Sequence, residues 1–117
     1  MPKKITEFKP WETKNTNGRE NRYIRIGVTM TASDAFRDLS NSAVRVYVNM
    51  LMEAGGKHRF RFPYNKYRCY MSKPTFFKAR DDLINHGFIE IVQNNRNLRK
   101  ANESCFSDKW KSFVKPL

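Results

Sequence analysis

Acidic residues are scarce in this chain: eleven Asp and Glu stand against 23 Lys and Arg, for a formal net charge of +12 over 117 residues. A surface this basic concentrates polyanions near it and gives salt-sensitive binding, with a generically soluble basic protein as the plainer alternative. Cysteine and histidine are equally sparse. Cys69, Cys105, His58 and His86 form no C-x-x-C or H-x-x-x-H spacing, so no metal centre and no cofactor is expected, and the two cysteines read as buried or half-buried free thiols in a reducing cytoplasm, with a disulfide as the alternative. Long apolar runs are missing too. The most apolar stretch, 44–52, is interrupted by Arg45 and Asn49, and "MPKKITEFKPWETKNTNG" has no apolar run behind its lysines. Neither a membrane span nor a signal peptide is expected, and the protein reads as cytoplasmic. Catalytic signatures are absent as well. There is no Ser-His-Asp or Cys-His set and no glycine-rich phosphate loop, and the adjacent Asp81 and Asp82 would point about 100° apart on a helix. No catalytic residue is assigned, and an enzyme is not expected.

What is present suffices for one small domain. With 39% hydrophobic and 14% aromatic residues, a core is affordable without disulfide or metal staples. The positive charge is unevenly spread. Residues 23–54 and 73–93 are each balanced at three basic against three acidic groups, whereas 55–72 carry five basic and no acidic residues and 94–117 carry six against two. The expected regular elements are therefore close to neutral, and the excess sits in connections and at the start of the chain. Residues 1–22, polar, with Pro2, Pro10 and the turn-prone "NTNG", read as a flexible basic arm; residues 23–117 read as the folded domain.

Along that domain, "YIRIGV" (23–28) alternates Ile24, Ile26 and Val28 and predicts a short strand. Ser33 is a candidate cap for a short helix over 33–39. In "SNSAVRVYVNMLMEAGG" the residues Val44, Tyr47, Val48 and Leu51 recur at i, i+3, i+4 and i+7 and predict a helix with that face buried. Ser40 or Ser42 would start it and Gly55-Gly56 would end it. "HRFRFP" predicts a short strand with Phe60 and Phe62 inward and Arg59 and Arg61 outward, and "YNKYRCYM" (64–71) predicts a short helix with Tyr67 and Tyr70 toward the core. Next comes "SKPTFFKARDDLINHGFIEI". Ser72 is a good N-cap and Pro74 suits the first turn. Leu83, Phe76, Arg80, Ile84 and Phe77 fan over one side of the helix, with Thr75, Lys78, Asp81, Asp82 and Asn85 opposite. Gly87 ends the helix, "FIEIVQ" alternates as a strand, and "CFSDKWKSF" reads as a returning strand with a terminal segment. The connecting tip carries Arg96, Arg99 and Lys100.

Taken together, "LSNSAVRVYVNMLM", "MSKPTFFKARDDLINHGFIEI" and "ANESCFSDKWKSF" resemble the winged helix-turn-helix proteins of bacterial plasmids, phages and integrative elements, over about residues 23–113. The most specific part is the pattern Thr75, Phe76, Ala79, Leu83, Gly87, Phe88, Ile89. The resemblance implies an α+β winged helix-turn-helix: a three-helix core, a short N-terminal strand and a C-terminal β-hairpin wing. It implies an accessory, replication or regulatory factor of a mobile element that binds double-stranded DNA, with a homodimer, side-by-side assembly on DNA, a relaxase or a replication protein as candidate partners. The third helix of such domains reads the major groove from its N-terminal half, here Lys73, Thr75 and Lys78. Arg96, Arg99 and Lys100 on the wing, and Lys66, Arg68 and Arg61 nearby, would hold phosphates. Two departures stand out. Arg80 occupies a position usually held by leucine, so that either it snorkels to an acid such as Glu53 or the packing face is wider; and Phe77 and Ile84 are apolar where solvent-facing residues are usual. Two other classes fit the same residues: an RNA- or single-strand-binding module, and a protein-interaction domain built on Phe77 and Ile84.

Overall fold

A computed structural model describes residues 23–93 and 102–114. The basic arm over 1–22 and the tip residues Arg96, Arg99 and Lys100 lie outside the described residues. Within them the chain is α+β. Four helices, α1 (Val28–Thr31), α2 (Asp34–Arg37), α3 (Asn41–Ala54) and α4 (Lys73–Asn85), accompany β1 (Arg59–Arg61), β2 (Ile89–Gln93) and β3 (Glu103–Phe106). The strands form one antiparallel sheet in the order β1-β3-β2, with β3 in the middle. Short 3-10 turns follow β1 at Tyr64–Lys66 and β3 at Lys109–Ser112.

The N-terminal strand expected over 23–28 is not there. Residues 23–27 have no regular structure, and Val28, which the alternating pattern would make the third inward residue, begins α1 and is 80% exposed. Alternation alone makes no strand: among the described residues the sheet consists of β1, β3 and β2, and this segment is not one of its strands. Serine caps start the helices that follow. Ser33 accepts the Phe36 N–H at 3.2 Å, and Ser40 accepts the Ala43 N–H at 3.1 Å. At its far end α3 stops at Gly55, whose left-handed φ of 58° costs glycine little.

The buried face of α3 is offset from the expected one. Ala43, Val46, Tyr47, Met50 and Ala54 are buried, while Val44, Val48 and Leu51 are only partly so. Both sets have helical spacing. Apolar residues cover well over half the helix circumference, so periodicity alone leaves the buried centre undetermined. Segment 64–71 is also less regular than expected. It is a 3-10 turn continued by turns to Tyr70, with Tyr70 and Met71 both donating to the Tyr67 carbonyl at 3.0 Å.

Gly87 is where helix gives way to strand, with a φ of 84°. A Cβ placed there would lie 2.5 Å from the Trp110 nitrogen and 2.6 Å from the Lys109 carbonyl carbon. The C-terminal 3-10 turn is packed directly on this glycine, and the Trp110 N–H donates to the Gly87 carbonyl at 3.1 Å. Positive φ and the absence of a side chain are therefore both required here. The chain then enters β2, which pairs with β3 from Ile89 opposite Phe106 to a bulge between Ile91 and Gln93. Phe88, Leu83 and Ile89 are fully enclosed, with Trp110 parallel to Phe88 at 6.0 Å and Tyr47 edge-on to Phe88 at 5.4 Å. This cluster fixes α4 against α3 and the sheet.

Candidate nucleic-acid interface

Helix α4 is anchored by Phe76, Ala79 and Leu83, all buried. That centre is turned toward Ala79 relative to the arc expected from sequence. Phe77 is consequently 44% exposed, Ile84 packs only partly, and Arg80 is half-buried. Opposite the anchor, at about 100° per residue, a crest of Pro74, Lys78, Asp81 and Asn85 faces outward, all of them exposed. Lys73 and Thr75 are exposed on its two flanks. Ser72 starts the helix, accepting the Thr75 N–H at 3.4 Å and donating its hydroxyl to Thr75 Oγ1 at 3.0 Å.

The other residues expected at an interface divide into groups. Lys66 is tied to Glu53 at 3.3 Å, joining the 3-10 turn to the end of α3. Arg68 is exposed on the turns that follow. Arg61 lies apart from the α4 crest, in a cleft of about 330 Å³ shared with Glu53, Lys57, Arg59 and Glu103. Arg59 reaches Glu103 there at 4.0 Å. The Arg80–Glu53 pairing does not form. Glu53 is taken by Lys66, and Arg80 lies on the Phe77 ring at 5.0 Å with Asp81 at 3.5 Å. Lys73 Nζ lies 4.7 Å from the centre of the Tyr64 ring.

The two aspartates of α4 play different parts. Asp81 is exposed beside Arg80, whereas Asp82 turns inward and accepts the Ser40 N–H at 2.8 Å, capping α3 from α4. Its carboxylate is also 3.2 Å from His86 Nδ1. His86, at the end of α4, has an acceptor on each ring nitrogen. The Asp82 carbonyl is 2.7 Å from Nδ1, and an Asp38 carboxylate oxygen is 2.8 Å from Nε2. Two acceptors require two donors, which is the imidazolium form. Burial opposes that charge, but the hydrogen bonds that the ring donates to Asp38 and Asp82 and the charges of both carboxylates outweigh it, and the pKa is raised above the ordinary value. The Phe113 ring closes the site at 4.7 Å. Sequence reasoning missed this network. The one local signal was Asp82 four residues before His86, a spacing that brings side chains together on a helix; Asp38 and Ser40 are brought in only by packing.

Among the described residues no group of three or more His, Cys, Asp or Glu side chains could hold a metal, and no helix is long and apolar enough to cross a membrane. Both cysteines are free thiols; Cys105 is half-buried as expected, but Cys69 is exposed, because it lies on the outer side of the irregular turns that follow β1. No protein-family model matches the chain, and no curated protein or solved structure shows significant similarity to it.

Proposed function

We propose that this chain is a winged-helix protein that binds double-stranded DNA, with the N-terminal half of α4 in the major groove. One observation carries the reading. The first turns of α4 present exposed Lys73, Thr75 and Lys78 while Phe76, Ala79 and Leu83 hold the opposite side rigidly in the core. A major groove about 12 Å wide accepts a helix. The ammonium of Lys78 can donate to guanine O6 and N7, and the Thr75 methyl can meet that of thymine. The element order α3, β1, 3-10 turn, α4, β2, β3 and the strand order β1-β3-β2 support the same assignment. Arg68 is free to take a backbone phosphate beside the groove, and Arg96, Arg99 and Lys100 would do so from the hairpin tip.

On this reading the C-terminal half of α4 stays outside the groove, because Asp81 would meet phosphates unfavourably and Asp82 is engaged with Ser40. The resemblance to mobile-element proteins makes an accessory, replication or regulatory role the proposed context, with a homodimer or adjacent copies on DNA. Selection of bound sequences from a random duplex library tests the proposal. A recovered consensus whose affinity falls when Lys78 is changed to Ala supports it; a palindromic consensus would imply a dimer. Failure to enrich any duplex sequence, or equal affinity for duplex and a matched single strand, would refute groove reading.

A further inference from the structure

Four aromatic rings form a continuous row beside the first turns of α4. Tyr64 meets Tyr67 edge-on at 5.3 Å, Tyr67 stacks on Phe76 at 3.9 Å with planes 9° apart, and Phe76 meets Phe77 at 6.0 Å. The two middle rings are buried, while the end rings, Tyr64 and Phe77, are 46% and 44% exposed. Each exposed end carries a cation, Lys73 on Tyr64 at 4.7 Å and Arg80 on Phe77 at 5.0 Å. Arg80 is poorly satisfied. Its buried Nε makes no hydrogen bond, and its anionic partner among the described residues is the adjacent Asp81, at 3.5 Å. Neighbouring residues on a helix point about 100° apart, which makes this a weak pair.

We propose that Tyr64 and Phe77 stack unpaired bases, so that the preferred ligand is a junction at which duplex DNA opens into a single strand. The proposal rests on the duplex reading above: the crest around Lys78 takes the groove, and the ring row on the Lys73–Phe77 flank takes the emerging strand. Aromatic rings with neighbouring cations are what a single strand requires, a π-face for the base and a positive charge for the phosphate next to it. A base stacked on an exposed ring gains more than the exposed cation–π contact it displaces. Lys73 and Arg80 are then released to the phosphates of the same strand, where the guanidinium of Arg80 meets a stronger partner than Asp81. The rings are held in place by their stacked neighbours, which lowers the ordering cost of binding. Contact with a second copy explains the surface less well, since a two-fold interface here would bring like charges together.

The test uses the full chain and fluorescence anisotropy with three probes of shared sequence: a blunt duplex, the same duplex with unpaired arms, and an arm alone. The expected result is about a hundredfold tighter binding of the forked duplex than of the blunt one, about tenfold for each of the two stacked bases. Phe77→Ala is expected to lower that preference about tenfold while leaving blunt-duplex affinity within about twofold and the melting temperature nearly unchanged, because the ring is exposed. Tyr64→Ala, with Tyr64→Phe as the ring-retaining control, should do the same, with the control binding forks normally. Equal affinity for fork and blunt duplex overturns the junction proposal and leaves the duplex reading standing. Loss of all three affinities together in Phe77→Ala, or a change in self-association in place of DNA affinity, also overturns it. An arm that binds as tightly as the fork, with the blunt duplex unbound, overturns the duplex reading and the junction with it.

Discussion

In the first two turns of α4, Thr75 and Lys78 are exposed and Lys73 is exposed beside the Tyr64 ring. In its last turns, Asp82 caps α3, His86 bridges Asp82 to Asp38, and Gly87 lies against the backbone of Trp110. One half of the helix is available and the other is committed. The contrast is sharpest between Asp81 and Asp82, neighbours of identical chemistry. The first is exposed beside Arg80, while the second holds the N–H of Ser40. Stability and binding should therefore separate along the length of this one helix, and substitutions can test the boundary.

The largest effect is expected at the committed end. Gly87→Ala puts a Cβ within 2.6 Å of two backbone atoms at a φ of 84°, a combination of clash and strain that should cost about 3 kcal/mol or more in a urea or thermal unfolding experiment. Next comes the aspartate pair. Asp82→Ala removes a helix cap and a partner of His86 and should cost about 1–2 kcal/mol, whereas Asp81→Ala should stay within about 0.5 kcal/mol. Equal costs for the two would erase the comparison.

His86 offers a finer test by pH. Its folded pKa is raised, so the native state holds the imidazolium proton more tightly than the unfolded chain does. The stabilisation is complete below the ordinary imidazole pKa near 6.5 and is lost as pH rises through the folded value above it. Unfolding free energies measured across that window should fall with rising pH, and His86→Gln should flatten the profile. A slope of opposite sign would mean that the network is not built on a charged ring. The smallest effect on stability is expected at the available end. Lys78→Ala should leave unfolding within about 0.5 kcal/mol yet weaken duplex binding and, if the ammonium meets a phosphate, reduce the salt slope by about one.

Local signals were readable where one residue carries the physics. Ser33, Ser40 and Ser72 cap helices because a serine oxygen meets free N–H groups, and Gly55 and Gly87 take left-handed backbone that other residues resist. Phe60 and Phe62 alternate inward from β1 as their spacing requires. The strand expected over 23–28 failed because alternation describes a surface and supplies no pairing partner. The buried faces of α3 and α4 were displaced for a related reason: both helices carry a broad apolar arc, and neighbouring elements select the part of it that is covered.

The sequence by itself determined where the two long helices lie, which serines and glycines start and stop them, and that the chain is strongly basic, since propensity, capping and net charge belong to residues one at a time or to near neighbours. Only the tertiary structure decided which of two adjacent aspartates is structural, that Arg80 rests on Phe77 while Glu53 pairs with Lys66, and that Tyr64, Tyr67, Phe76 and Phe77 make one row of rings. Each of these depends on distances between segments remote in the chain or on the exact rotation of a helix, which packing sets and local pattern does not.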